Sequence, residues 1–247
     1  MKKIIALILA LCCVFAFSSC DFVNGVIDSI FGGEEEVDGV AVFKELYSVS
    51  EPTRVETNYT ISLGGFNLRG NSILATGALS DGSAATVLTY EYPVLQTVQA
   101  GAGTEITPIT GEPLKGSREY VEGKGERIDG GAWDEYGMDF APQAGSIAIN
   151  VDASLVKNLV YNESGSTRTL SFTVPEANTS QVFGNDYEIT SDANVVITAN
   201  SAVVTGLSIS YTEAIESEDE DIEYPIASIT VTVDYSYGIE EITLVKK

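Results

Sequence analysis

The spacing of apolar residues changes twice along the chain. Residues 4–17 form an uninterrupted apolar run, residues 40–47 repeat apolar positions every three or four residues, and from residue 54 onwards apolar and polar residues alternate. A period near 3.6 is typical of an amphipathic helix, and a period of two is typical of a half-buried β-strand. The pattern therefore predicts an apolar leader, one short helix and then a chain made mainly of strands.

The helix is predicted from the segment GVAVFKELYSVSEP, in which Val40, Phe43, Leu46 and Tyr47 share one face. It must end before Pro52, because the residue that precedes a proline disfavours the helical conformation. A second segment, ASLVKNLVYN at residues 153–162, fits a short helix or a strand. We therefore expect one or two short helices.

The alternation of apolar and polar residues that is typical of a strand is clearest in RVETNYTISL, residues 54–63, and it occurs in about nine or ten segments in all. Asp81-Gly82 lies between two such segments and is a strong hairpin signal. Gly238 ends the segment ASITVTVDYSYG just before EEITLV, and it predicts the turn of a closing hairpin. Residues 101–145 are rich in Gly and Pro, and we expect a long loop there with at most short strands.

The apolar leader is typical of a secretory signal. It follows Lys2 and Lys3 and is shorter than the roughly 20 residues that span a bilayer as a helix. The small residues Ser18 and Ser19 lie just before Cys20, and this arrangement resembles the lipobox of bacterial lipoproteins. The resemblance implies that the leader is cut before Cys20, whose thiol carries a diacylglyceryl group with palmitate-type chains. Phe17 departs from the Leu that the motif usually has at that place.

Ordinary secretion is the alternative, with cleavage after Ser18 and a free thiol on Cys20. The three cysteines are at positions 12, 13 and 20, so removal of the leader leaves Cys20 without a disulfide partner. We expect a signal peptide at residues 1–19, a lipidated Cys and acidic tether at 20–38, and a single mainly antiparallel β domain at 39–247. The chain would then be anchored in the cell membrane, outside the cytoplasm.

Charge and composition restrict the chemistry. The chain has 13 Lys plus Arg against 36 Asp plus Glu, a net charge of −23, which would repel nucleic acid and anionic lipid headgroups. It has no histidine, which excludes His-based triads and His-ligated zinc. With so many acids, a pair of carboxylates is always available and indicates no particular activity. We predict that the protein is not an enzyme and holds no metal or cofactor.

The order of elements resembles the LolA and LppX group of lipoprotein carriers. The likeness depends on VFKELYSV after an acidic spacer, on the Asp81-Gly82 hairpin and on SITVTVDYSYGIEEITL near the end. It implies a single curved antiparallel sheet, an open half-barrel around one or two helices, with an apolar cavity for lipid or another amphiphile. Candidate cavity-lining residues are Tyr59, Ile61, Tyr90, Tyr92, Leu170 and Phe172. The alternative is a β-sandwich that binds carbohydrate or protein at the cell surface. In that fold these side chains would fill the core.

Two further segments are candidate binding sites. Trp133, the only tryptophan, lies beside Asp134, Glu135 and Tyr136, and a ring next to carboxylates can serve a sugar or calcium site. The alternative is that Trp133 closes one end of the sheet while the acids face water. The acidic run at residues 216–223 fits an extended, solvated loop, and weak calcium capture is its second interpretation.

Overall fold

The structure is a computed structural model that describes residues 37–63, 66–93, 95–99, 106–110, 112–140, 152–183, 189–214 and 226–245. Its first element is helix α1, Gly39–Val49. Val40, Phe43 and Leu46 are buried on one face of α1, as their spacing predicts. Burial of each such side chain contributes about 1.5–3 kcal/mol. The helix stops where Ser50 Oγ donates a hydrogen bond to Leu46 O (2.6 Å) and accepts one from Val204 N (3.0 Å).

Twelve strands follow in the described part of the chain. They are β1 (Arg54–Leu63), β2 (Phe66–Ala78), β3 (Ala84–Tyr92), β4 (Leu95–Gln99), β5 (Ile106–Thr110), β6 (Leu114–Val121), β7 (Gly125–Ile128), β8 (Lys157–Ser164), β9 (Thr167–Val174), β10 (Ala193–Ala199), β11 (Val204–Ala214) and β12 (Ile226–Ser236). A short helix, α2, spans Thr179–Phe183 between β9 and β10. All these elements belong to one compact unit, Gly39–Lys247.

Ten of the strands form one antiparallel sheet in the order β7-β6-β3-β2-β1-β12-β11-β10-β9-β8, and β4 pairs with β5 separately. The first half of the sheet runs from β1 at the centre to β7 at one edge. The second half runs from β8 at the other edge to β12, which pairs with β1 at the centre. The sheet does not close into a barrel, so β7 and β8 are its edges. The predicted open sheet with one or two short helices is confirmed, and the sandwich alternative is not what the chain forms.

One face of the sheet, which we call the helix face, packs against α1 and α2. Helix α1 contacts β9 and β11, and the strands contribute alternate residues to the same cluster, as half-buried strands should. The buried strand residues of this cluster are Val55, Leu74, Leu170, Phe172, Val174, Ala193, Val195, Ile197, Ala199, Val204, Leu207, Ile209, Val231 and Val233.

Tyr47 contributes its ring to this core but leaves its hydroxyl without a hydrogen-bond partner among the described residues. Burial raises the pKa of Tyr47 far above its ordinary value, and the neighbouring Tyr235 and Tyr237 raise it further. A buried donor without an acceptor costs about 1–3 kcal/mol. The hydroxyl therefore reduces the stability of a core that the ring itself strengthens.

The opposite face, the outer face, is covered in its first half by residues 239–245, which we call the C-terminal strap. Ile242 packs with Ala75, Ala85, Val87 and Val121 in a second apolar cluster. The strap contacts the end of β2 through Ala78, which donates to Glu240 O (3.2 Å) and accepts from Ile242 N (2.9 Å).

The predicted closing hairpin is therefore wrong, because EEITLV forms a parallel bridge with the end of β2 instead of pairing with β12. Gly77 permits this close approach, since a Cβ at that position would lie 2.1 Å from Glu240 O. Gly238, in the left-handed region at φ 123°, begins the change of direction.

The Gly- and Pro-rich region is also more regular than its composition suggests. Residues 101–145 contain β6 and β7, and β6 lies inside the sheet between β3 and β7. Strand β6 does not show a clean polar and apolar alternation because Ser117 and Glu119 are buried on the outer face beside Val121. Buried polar residues therefore obscure the strand in the sequence.

The ambiguous segment at residues 153–162 is mainly a strand. A short 3-10 turn, Ala153–Leu155, precedes β8, and Asp152 begins it by accepting a hydrogen bond from Ser154 N (2.9 Å). The second helix is instead α2, which the sequence patterns did not indicate because it is only five residues long.

Candidate functional site

The apolar core extends on the helix face into a half-buried strip of side chains, which we call the tyrosine band. It crosses β1, β3, β11 and β12, and its members are Tyr59, Ile61, Leu88, Tyr90, Tyr92, Tyr211 and Ile229. Tyr59, Leu88, Tyr211 and Ile229 pack directly against the buried cluster under α1. The band is thus a continuation of the core that keeps part of its apolar surface exposed.

Three tyrosines form an aromatic group at the centre of the band. The rings of Tyr90 and Tyr92 are stacked at 5.2 Å between centroids and 16° between planes, and Tyr59 meets Tyr92 edge-on at 5.8 Å and 72°. Both arrangements are favourable for aromatic pairs, which contribute about 0.5–1.5 kcal/mol beyond the area they bury. The structure thus brings three of the six predicted lining residues into contact, and their contact with a ligand stays a prediction.

Glycines on the neighbouring strands make room for the rings. Gly70 lies opposite Tyr59 on β2, so the Tyr59 ring can reach across β2 to Tyr92 on β3. Gly116 lies opposite Tyr90 on β6, and a Cβ there would be 2.2 Å from the Tyr90 hydroxyl oxygen. Tyrosine therefore faces glycine in two neighbouring rows of the sheet, with Tyr59 opposite Gly70 and Tyr90 opposite Gly116. This order depends on strand pairing, and the spacing along the sequence does not show it.

The other predicted lining residues occupy two different positions. Ile61 lies within the band, opposite Leu68 on β2 and Ile229 on β12. Leu170 and Phe172 are 0% and 3% exposed and belong to the core cluster that α1 covers. They support the helix face from within, and contact between a ligand and either side chain stays a prediction.

An ion pair marks one margin of the band. Arg118 lies opposite Leu88 on the helix face of β6, and its guanidinium forms a bidentate pair with Glu126, with Nη2 3.2 Å from Oε2. The same guanidinium lies 4.5 Å from the centre of the Phe140 ring, which is a cation–π distance. The positive charge is therefore compensated on one side by a carboxylate and on the other by an aromatic ring.

The candidate loop site around Trp133 covers the edge of the sheet. Asp134 pairs with Glu126 of β7 through two backbone hydrogen bonds of 2.6 and 2.9 Å. Trp133 is partly buried in the second cluster with Arg127 4.7 Å from its ring centre, whereas Tyr136 is 92% exposed. Glu135 is exposed as well. Trp133 and Tyr136 therefore do not face a common site, and a sugar or calcium ligand for this loop stays a prediction.

A buried ion pair beneath the C-terminal strap is a feature that sequence reasoning missed. The Glu119 side chain is fully buried and accepts hydrogen bonds from Arg127 Nε (2.5 Å) and Val245 N (2.6 Å). Arg127 Nη2 donates to Val245 O (3.2 Å), so the pair binds both polar groups of one peptide residue. Beside it lies a cleft of about 570 Å³ that is lined by the strap, Arg127 and the β2–β3 turn. In the sequence, the only indication of this ion pair is that Glu119 and Arg127 lie on either side of the turn after β6.

Several earlier predictions concern residues outside the described parts. Cys20 and the acidic run at residues 216–223 lie there, so the lipid anchor and calcium capture remain predictions. Within the described residues, no group of three or more Asp, Glu or Cys side chains is arranged to hold a metal ion. The helices of the described residues include none that is long and apolar enough to cross a membrane.

Comparison with known proteins gives distant likenesses in structure. No family model and no curated protein matches the chain. LprF from Mycobacterium bovis is similar at 12% identity and a TM-score of 0.38, over 85% of this chain and 99% of that one. A DUF1329 family protein from Desulfovibrio piger is similar at 10% identity and a TM-score of 0.23, over 82% of this chain and 93% of that one. At these values the likenesses do not assign the chain to a family.

Proposed function

We propose that this protein is a membrane-anchored carrier or receptor that holds a lipid or another amphiphile against the tyrosine band outside the cytoplasm. The observation that supports the proposal is the continuity of the core with the band. A half-buried apolar strip with polar groups at its margin suits a molecule that has an apolar chain and a polar head.

The tyrosines fit this role because of their two-sided chemistry. Their ring faces offer apolar area for an acyl chain, while their hydroxyl groups accept or donate hydrogen bonds to a polar head. The glycines beneath the rings leave the backbone close to the band surface. An acyl chain laid across Tyr59, Tyr90 and Tyr92 would gain about 0.8 kcal/mol for each buried methylene.

Membrane attachment is the second part of the proposal. Cys20 after Ser18 and Ser19 provides the acylation site that the lipobox resemblance implies, and two or more acyl chains are needed to hold a protein stably on a bilayer. The tether at residues 21–38 contains Glu34, Glu35 and Glu36, whose charges repel one another and favour an extended spacer.

Catalysis is not part of the proposal. The chain has no histidine, and an acylated Cys20 would not be a nucleophile. The tyrosine band offers aromatic and aliphatic side chains, with Arg118 and Glu126 neutralised by each other at its margin. We therefore propose binding and release of an unmodified ligand.

Native mass spectrometry of the chain with Cys20→Ser, which prevents acylation, tests the ligand. We expect a co-purified amphiphile, and we expect Tyr90→Ser to reduce its occupancy several-fold. Tyr136→Ser is the matched control, because Tyr136 is an exposed tyrosine away from the band. Absence of any bound amphiphile, both after purification and after addition of a C16 lysolipid, would refute the proposal.

The anchor is tested separately by cell fractionation. We expect the unaltered chain in the membrane fraction with an acylated N-terminal Cys20, and the Cys20→Ser chain outside that fraction. An unmodified N-terminus at Cys20 or at residue 19 would refute the anchor and would leave the binding proposal standing.

A further inference from the structure

We infer that the ligand of the tyrosine band carries no net negative charge and is a neutral or zwitterionic amphiphile. This inference rests on the proposed function and adds the chemical class of the headgroup. It follows from where the cations of this chain lie, because an unpaired cation makes the strong charge-assisted hydrogen bonds to a phosphate or carboxylate headgroup.

The strand cations on the helix face are already occupied. Strand register places Arg118 and Arg168 on this face within the described residues. Arg118 is held by Glu126 and by the ring of Phe140, and Arg168 Nε lies 3.4 Å from Glu163 Oε1. An anionic headgroup at either arginine would therefore meet a positive charge that a carboxylate already compensates.

The remaining basic residues of the described fold do not supply the band. Lys44 is exposed on α1 near Asp152, whose pKa is lowered by the hydrogen bonds from Ser154 and in part by Lys44, and Lys124 lies in the turn between β6 and β7. The strand residues among them point to the outer face, as their pairing partners show, and these are Arg54, Arg69, Lys115, Arg127 and Lys157. Lys115 is in addition 2.9 Å from Glu91.

The internal segments between the described ranges contain no Lys or Arg in their sequence, whereas they include the acidic residues 216, 218–221 and 223. Lys246 and Lys247 also lie outside the described residues, and they follow Val245, whose N–H is bonded to Glu119 on the outer face. Since the whole chain has a net charge of −23, the field at the band opposes an anionic headgroup. An anionic ligand would therefore bind more weakly than a neutral one with the same acyl chain.

A series of C16 lysolipids tests the inference with the Cys20→Ser chain, below the micelle concentration and at low salt. The series compares a lysophosphatidylcholine, a monoacylglycerol and a lysophosphatidylglycerol by titration calorimetry. We expect the first two to bind at least threefold more tightly than the anionic member, with the difference shrinking at 0.5 M salt. Equal or tighter binding of the anionic member overturns the inference but leaves the proposed function intact, and binding of none overturns both.

Release of Arg118 provides a second test. Glu126→Gln removes the carboxylate while its backbone bonds to Asp134 remain, so we expect affinity for the anionic lysolipid to rise at least threefold with little change for the neutral one. Glu91→Gln is the control, because it removes the same charge from the outer face. An unchanged selectivity in Glu126→Gln, or an equal gain in Glu91→Gln, overturns the inference.

Discussion

Removal of the Glu119 carboxylate charge should detach the C-terminal strap and destabilise the whole fold. In Glu119→Gln one oxygen can still accept a hydrogen bond, but the new amide group presents a donor to a second donor. The variant therefore loses one of the two bonds from Arg127 and Val245 and leaves the guanidinium of Arg127 without its counter-charge.

The size of the loss follows from burial. Breaking a buried pair by removal of one partner costs about 3–5 kcal/mol, and one hydrogen bond to a charged group contributes about 1.5–3 kcal/mol. Arg127 keeps 16% of its side chain exposed and retains Val245 O and the Trp133 ring as partners, which reduces the penalty. We expect Glu119→Gln to lower the free energy of unfolding by about 2–4 kcal/mol.

Urea denaturation followed by circular dichroism measures the loss, and fluorescence reports on the strap because Trp133 is the only tryptophan and lies in the strap cluster. Glu91→Gln is the control, since its pair with Lys115 has both side chains about half exposed or more and should matter by less than about 0.5 kcal/mol. The double variant Glu119→Leu with Arg127→Met should regain most of the stability. Equal losses of unfolding free energy in Glu119→Gln and Glu91→Gln would refute the reasoning.

Three further predictions concern other parts of the fold. Tyr47→Phe should raise the free energy of unfolding by about 1 kcal/mol, because it removes a buried hydroxyl without a partner, and a urea midpoint that falls would contradict this. Gly116→Ala should displace the Tyr90 ring and weaken lysolipid binding in calorimetry more than it lowers the urea midpoint. The Ser83 N–H lowers the pKa of Asp81 below 3.8, so the carboxylate stabilises the fold above that pH and this contribution is lost as the pH falls through the lower folded value. The stability of Asp81→Asn relative to the unaltered chain should therefore rise as the pH falls below 3.8, and a constant difference in urea midpoint would contradict this.

The sequence predicted most reliably the elements that bury one face against a helix. Strand β1 begins and ends where the alternation of RVETNYTISL does, because Val55 and Thr57 are buried while Glu56 and Asn58 are more exposed. Helix α1 likewise follows its apolar spacing, since only one of its faces is covered. In both elements the spacing of apolar residues agrees with the tertiary packing, so the spacing alone predicts the element.

The sequence was a poor guide where polar groups are buried or where partners lie far apart. Glu119 in β6 looks like a surface residue until its partners, Arg127 and Val245, are known. The pairing of Tyr59 with Gly70 and of Tyr90 with Gly116 depends on strand register, which the spacing within one strand does not contain. The same limit applies to Leu170, whose position shows that it faces the core but does not show that α1 covers it.

The two halves of the sheet differ in which faces they bury, and this difference determines where a ligand can bind. In the first half, Val55 and Leu74 join the core on the helix face while Ala75 and Val87 are buried on the outer face. In the half from β8 to β12, α1 and α2 cover the helix face, while the outer face shows polar residues such as Ser208 and Thr232. In the half from β1 to β7, the strap covers the outer face at Ile242, so apolar area remains partly exposed on the helix face. Strand β3 contributes to both arrangements, with Val87 under the strap and Leu88 in the band. The strap therefore stabilises the strands that carry Tyr90 and Tyr92 without occupying the surface that these tyrosines offer to a ligand.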